Sequence, residues 1–238
     1  MKSLIVALFL LVSSILNAEM TNGVFYVDKN IECHLISQNG AITTNDLVAG
    51  KTYMVGNTLL EMVITNSTLF YFSGGPLVSI ASNSTFTINI FDQEINNLEV
   101  TPRPVVFGNH NLNMGISSGA YSIIYPNTNV NSSFIISTPY TSYELHGGKY
   151  FIQVSDKSSI VYVIEGTMNV HGDKKVNKMD KGKIATAKPV STSILTSIST
   201  PKEEDVMKFS TSVSETYKKW SDVQFFIVNG RVIGIQMK

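Results

Sequence analysis

Short apolar runs, each cut off by Asn, Gly, Ser or Pro, recur about every ten residues from Ile31 to Pro189, the rhythm of an all-β sandwich, barrel or solenoid. Thr, Ser, Val, Ile, Tyr and Phe dominate those runs. In "IECHLISQNGAITTN", Asn39-Gly40 separates two alternating stretches, the commonest two-residue hairpin signal. "LLEMVITNSTLFYFSGGPLVSIASNSTFTINIF" reads as four strands, with turns at Asn66-Ser67, Gly74-Gly75-Pro76 and Ser82-Asn83-Ser84. Pro102 and Pro104 precede a less regular stretch, 105–113, read as a connection. "GAYSIIYPNTNVNSSFIISTP" gives two strands around a polar loop. "KYFIQV", "SIVYVIEG", "TMNVHG" and "KVNKMDKGKIATAKP" complete the series.

Side chains alternate across a strand. Tyr150, Ile152 and Val154 therefore share one face, with Phe151 and Gln153 opposite. Ile160, Tyr162 and Ile164 oppose Val161, Val163 and Glu165. The second strand is apolar on both sides until Glu165, which marks a strand covered on both faces.

The first 18 residues, "MKSLIVALFLLVSSILNA", have the basic start, the apolar stretch from Leu4 to Val12 and the small Ala18 of a secretory signal cut after Ala18. The alternative is a retained signal-anchor, but the apolar stretch is well short of the roughly 20 residues that span a bilayer. No later run is long enough, so no stable membrane span is expected after cleavage. The chain has 18 basic and 18 acidic residues, and losing Lys2 leaves one acidic charge in excess. A neutral chain without a basic run has no electrostatic footprint for nucleic acid. The one cysteine, Cys33, cannot form an internal disulfide and reads as a small buried hydrophobe.

The last 39 residues change character. In "TPKEEDVMKFSTSVSETYKKW", Thr200 can cap a helix, Pro201 sits at its first position and Glu203 completes a capping box. Glu203, Glu204 and Asp205 lie near its start and Lys218 and Lys219 near its end, as the helix dipole favours. Val206, Phe209, Val213, Tyr217 and Trp220 form an apolar stripe. "FFIVNGRVIGIQMK" then reads as a hairpin turning at Asn229-Gly230. Such a unit buries little alone and is expected to pack on the β domain.

Recognisable chemistry is sparse. His34, His110, His146 and His171 show no metal-ligand spacing on one element, and zinc-finger and HExxH spacings, a nucleophile elbow and a P-loop are missing. Glu144 and Glu165 could form a carboxylate pair, but each reads better as a residue on the wet face of its strand. "VYVIEGTMNVHGDKKVNKMDKGKIATAKP" has the strand–Gly–strand rhythm of a cupin. The preceding "VSDKSS" lacks the histidines of a cupin metal site, and no His follows Lys188. No catalytic, cofactor-binding or metal-binding residue is assigned, and no cofactor is expected.

One longer pattern is more telling. "FIISTPYTSYELHGGKYFIQVSDKSSIVYVIEGTMNVHGDKKVNKMDKGKIATAKPV" resembles the FecR-type domain, the extracytoplasmic part of iron-dicitrate-type signal regulators. Thr138-Pro139, Glu144-Leu145, Gly147-Gly148, Val163-Ile164-Glu165-Gly166 and Gly182 carry the match, and the likeness extends over roughly residues 59–190. Sensor members have a sigma-binding segment and a membrane helix before this domain, where this sequence has only the signal. The resemblance implies an all-β, solenoid-like or double-sheet fold and a non-catalytic module that binds protein.

The expected organisation is a signal peptide over 1–18, a FecR-like β domain over 19–199, and a helix with a hairpin over 200–238. The expected function is that of a periplasmic or secreted non-enzyme that binds a protein or an envelope polymer, with a part in envelope signalling. A cupin-like enzyme and a structural surface component are the alternatives.

Overall fold

The computed structural model describes residues 20–238 apart from 37–41, 52, 56–59, 74, 95–108, 127–130, 173–174, 192, 222, 229–230 and 238. The signal segment with its Ala18 cut, the Asn39-Gly40 turn and the Asn229-Gly230 turn lie outside the described residues. In chain order the strands are β1 (Met20–Asn22), β2 (Val24–Val27), β3 (Ile31–Ile36), β4 (Ile42–Leu47), β5 (Tyr53–Met54) and β6 (Leu60–Ile64). There follow β7 (Thr68–Phe72), β8 (Leu77–Ile80), β9 (Ser84–Glu94), β10 (His110–Tyr125), β11 (Ser133–Ser137) and β12 (Ser142–Val154). The series continues with β13 (Ser159–His171), β14 (Val176–Asp180), β15 (Ile184–Val190) and β16 (Ser193–Ser199), then helix α1 (Glu203–Ser221), β17 (Val223–Val228) and β18 (Arg231–Met237).

β1 to β16 belong to one hydrogen-bonded sheet that does not close into a barrel. It doubles over because three long strands change neighbours midway. β10 pairs with β9 up to Ser118, then with β8 and the second half of β12 from Gly119 on. β12 pairs with β11 through Ser142–Leu145 and with β10 beyond Gly148. β13 pairs with β15 through Ser159–Tyr162 and with β14 from Thr167. One ladder therefore runs β4-β3-β6-β9-β10-β11-β12-β13-β14, and the other β5-β2-β7-β8-β10-β12-β13-β15-β16. This is the double-sheet form of the expected all-β fold, and the cupin-like alternative lacks its closed barrel.

The inner faces of the ladders meet in the main core. Phe70 of β7 packs edge-on against Phe86 of β9 at 5.2 Å, and Phe72 against Phe91 at 5.4 Å. Tyr150, Ile152, Val154, Val161 and Val163 join this core, as their alternation predicts, and Cys33 is fully buried within it. The outer face of the second ladder holds a second core. Tyr26, Tyr71, Phe151 and Tyr162 are covered there by Phe209 and Val213 of α1, and Phe209 stacks on Phe151 at 4.4 Å. β12 and β13 are thus apolar on both sides because the main core lies on one side and the helix on the other. Each large side chain so buried contributes about 1.5–3 kcal/mol.

Three local expectations change. The 105–113 connection gives way to strand from His110 onward; its alternation there is carried by Leu112 with Asn111 and Asn113, weak as a sequence signal. The helix begins at Glu203, with Val206 N–H donating to Lys202 O, so Lys202 holds the cap position. The Thr200 hydroxyl instead accepts from Lys183 Nζ at 3.1 Å. The buried stripe is Phe209, Val213 and Thr216, while Tyr217 lies exposed at its margin. The side chains of Trp220 and of the β17–β18 hairpin lie outside the described residues.

Candidate functional surface

The FecR-like pattern falls where the chain passes between ladders. Gly147, Gly148 and Gly166 hold φ of 83°, 133° and 87°, conformations that side chains resist. A Cβ on Gly148 would run into the Glu165 carbonyl, and one on Gly166 into the Gly147 carbonyl. The two strands cross with their backbones in contact, and only glycine fits. Tyr150 braces the crossing: its hydroxyl lies 2.6 Å from Gly147 O and 2.7 Å from Thr167 O, donating to these carbonyls. Burial pushes that phenol well above its ordinary range, with a backbone hydrogen bond from His146 partly opposing the rise.

The other matching positions attach to this crossing. Gly182, in the turn from β14 to β15, holds φ 79° and donates its N–H to Val163 O at 2.8 Å, while Val163 N–H donates to Lys183 O. Thr138 shapes the turn before β12. Its hydroxyl receives the N–H groups of Tyr140 and Thr141 and donates to Thr141 O. The same hydroxyl reaches Ser159 Oγ, which also bonds Tyr143 OH at 2.8 Å. Burial raises the Tyr143 phenol to about 12, and the Ser159 bond partly offsets this.

The candidate carboxylate pair does not form. Glu144 accepts a hydrogen bond from Asn169 Nδ2 at 2.9 Å, whereas Glu165 pairs with Lys149 Nζ at 2.6 Å. Lys149 also sits 4.1 Å from the Tyr217 ring centroid, fastening the end of α1 to β12. Glu144 has His146 Nε2 at 3.9 Å and His171 Nε2 at 3.7 Å. Same-strand spacing missed this grouping, because His171 arrives from β13 through the register Glu144↔Asn169. The cluster can clamp two strands. Among the described residues no group of three or more His, Cys, Asp or Glu could hold a metal ion. His110 is buried against the Tyr125 ring at 5.6 Å.

No family model and no curated protein matches the chain. Two crystal structures of candidate anti-sigma factors from Parabacteroides distasonis are similar to it. One is 13% identical with a TM-score of 0.43, over 71% of this chain and 68% of that one. The other is 11% identical with a TM-score of 0.39, over 74% and 80%.

Proposed function

We propose that this chain is an exported FecR-like module that binds a protein of the cell envelope and performs no chemistry of its own. The observation that supports this reading is the crossing. The glycines, the Thr138 turn and Val163, which make the resemblance, are all spent on holding two ladders together. The polar side chains beside them are tied to one another as strand clamps. An architecture that rigid offers fixed outer surfaces and sheet edges to a partner.

Two measurements test it. Intact mass of the protein recovered from the envelope should lack residues 1–18, and an intact Met1 would contradict cleavage after Ala18. The purified protein, immobilised and exposed to envelope extract, should retain a protein saturably and at a defined stoichiometry. Retention of polymer alone, or of nothing, contradicts the protein-binding reading.

A further inference from the structure

The second ladder ends on β16. This strand pairs with β15 from Ile184↔Ser199 to Val190↔Ser193 without a register shift, and it is the last strand of that path. Other outer strands carry the features that stop sheets from adding to one another: β5 is two residues long, β4 has exposed Asp46, and β14 has exposed Lys178 and Asp180. β16, Ser193–Ser199, holds no charge, no proline and no bulge.

Its core-side face is unfinished. Thr196 and Ile198 stand in register with Ala187 and Ala185, which are fully buried, yet Ile198 is 39% exposed. Thr196 Oγ1 is shut away from solvent without a hydrogen-bond partner among the described residues, a costly state for a hydroxyl. On the other face Leu195 is 49% exposed.

The strand SILTSIS is also nearly palindromic. Run antiparallel to itself about Thr196, it sets Ser193 against Ser199, Ile194 against Ile198, Leu195 against Ser197, and Thr196 against Thr196. We propose that β16 is a homodimer interface, in which two copies pair edge to edge about a two-fold axis at Thr196. A turn of each Thr196 side chain about χ1 brings the enclosed hydroxyl out to its counterpart on the axis, and two Ile194–Ile198 pairs complete the core-side face. The same patch serves both copies, so the contact closes at two. No charge opposes another across it. A one-residue slip would turn the isoleucines to the wrong face, which fixes the register. The pairing stands independently of any envelope partner.

Sedimentation equilibrium of the purified protein should show a monomer–dimer equilibrium. Thr196→Lys places two ammonium groups together on the axis and should weaken association at least about tenfold, with the folded monomer's circular dichroism unchanged. Thr196→Cys should yield a disulfide-linked dimer on mild oxidation, because directly opposed antiparallel residues lie within disulfide reach. Lys178→Cys, on the edge strand β14, should not, and Cys33 is buried out of reach. A protein that stays monomeric, a dimer indifferent to Thr196→Lys, or a Thr196→Cys dimer that fails to cross-link overturns the proposal.

Discussion

β10 passes between the ladders at Gly119, and the β12–β13 pair does so at Gly147, Gly148 and Gly166. The two crossings use the same device. Gly119-Ala120-Tyr121-Ser122-Ile123 repeats as Gly148-Lys149-Tyr150-Phe151-Ile152. Each tyrosine bonds the carbonyl three residues back, Tyr121 to Ser118 O at 2.8 Å and Tyr150 to Gly147 O at 2.6 Å. Each also reaches a carbonyl on another strand, Thr85 O or Thr167 O. What crowds the glycine differs. At Gly119, φ 111°, a Cβ would meet the Ser84 side chain and, less closely, the Ser84 Cα. At Gly148 and Gly166 it would meet main-chain carbonyls. A side chain can be trimmed, whereas a backbone in a paired sheet cannot. The second crossing is therefore the stricter one, and it is the one inside the FecR-like pattern.

The largest effect is expected at Gly166. Gly166→Ala combines an unfavourable φ with a backbone clash and should cost about 3 kcal/mol or more, a large share of a domain's stability. A chemical-denaturation midpoint equal to that of the unaltered protein would break the comparison. Next come the two braces. Tyr150→Phe and Tyr121→Phe each strip a donor from two carbonyls and should each cost about 1–3 kcal/mol. If only one is costly, the crossings are not equivalent in their bracing.

Alkaline pH probes the same buried phenols. Tyr143 ionises near 12 in the fold against 10.0 in the open chain, and burial shifts Tyr121 and Tyr150 further the same way. Their folded pKa values are raised, so their contribution is complete below the open-chain value. It is lost as pH climbs from 10.0 towards the folded values, because the unfolded chain ionises first. Melting temperature should fall through that window, and Tyr143→Phe should flatten the fall. The smallest effect belongs to Lys149→Met. Its Glu165 partner is more than half exposed, so the pair is worth less than about 1 kcal/mol, readable as a slight shift in the thermal melt.

Sequence pattern revealed strands readily and their partners poorly. The four strands from Leu60 to Phe91 stand where their turn residues place them. Yet Asn66-Ser67 and Ser82-Asn83-Ser84 do not join neighbours: β6 pairs with β3 and β9, and only β7 and β8 form a hairpin. Turn chemistry reports that the chain reverses, not which ladder it enters next. β10 and β11 run parallel, which two strands around a polar loop do not reveal in sequence. Asn83, at φ 58°, donates its N–H to Ile64 O and so marks a passage between ladders. The Gly147-Gly148 and Gly166 positions were legible as special residues. Their purpose was not, because it lies in the contact of two backbones that pattern does not place together. The Glu144–His146–His171 grouping was hidden for a similar reason, since it depends on cross-strand register.

The central claim is that Gly148 and Gly166 are required by backbone crowding. Urea unfolding of Gly148→Ala beside Gly119→Ala, each with and without Ser84→Gly, tests it most directly. We expect Gly148→Ala to be the more destabilised. Ser84→Gly should recover part of the loss in Gly119→Ala and none in Gly148→Ala. Equal losses at the two sites, or recovery at both, would contradict the claim.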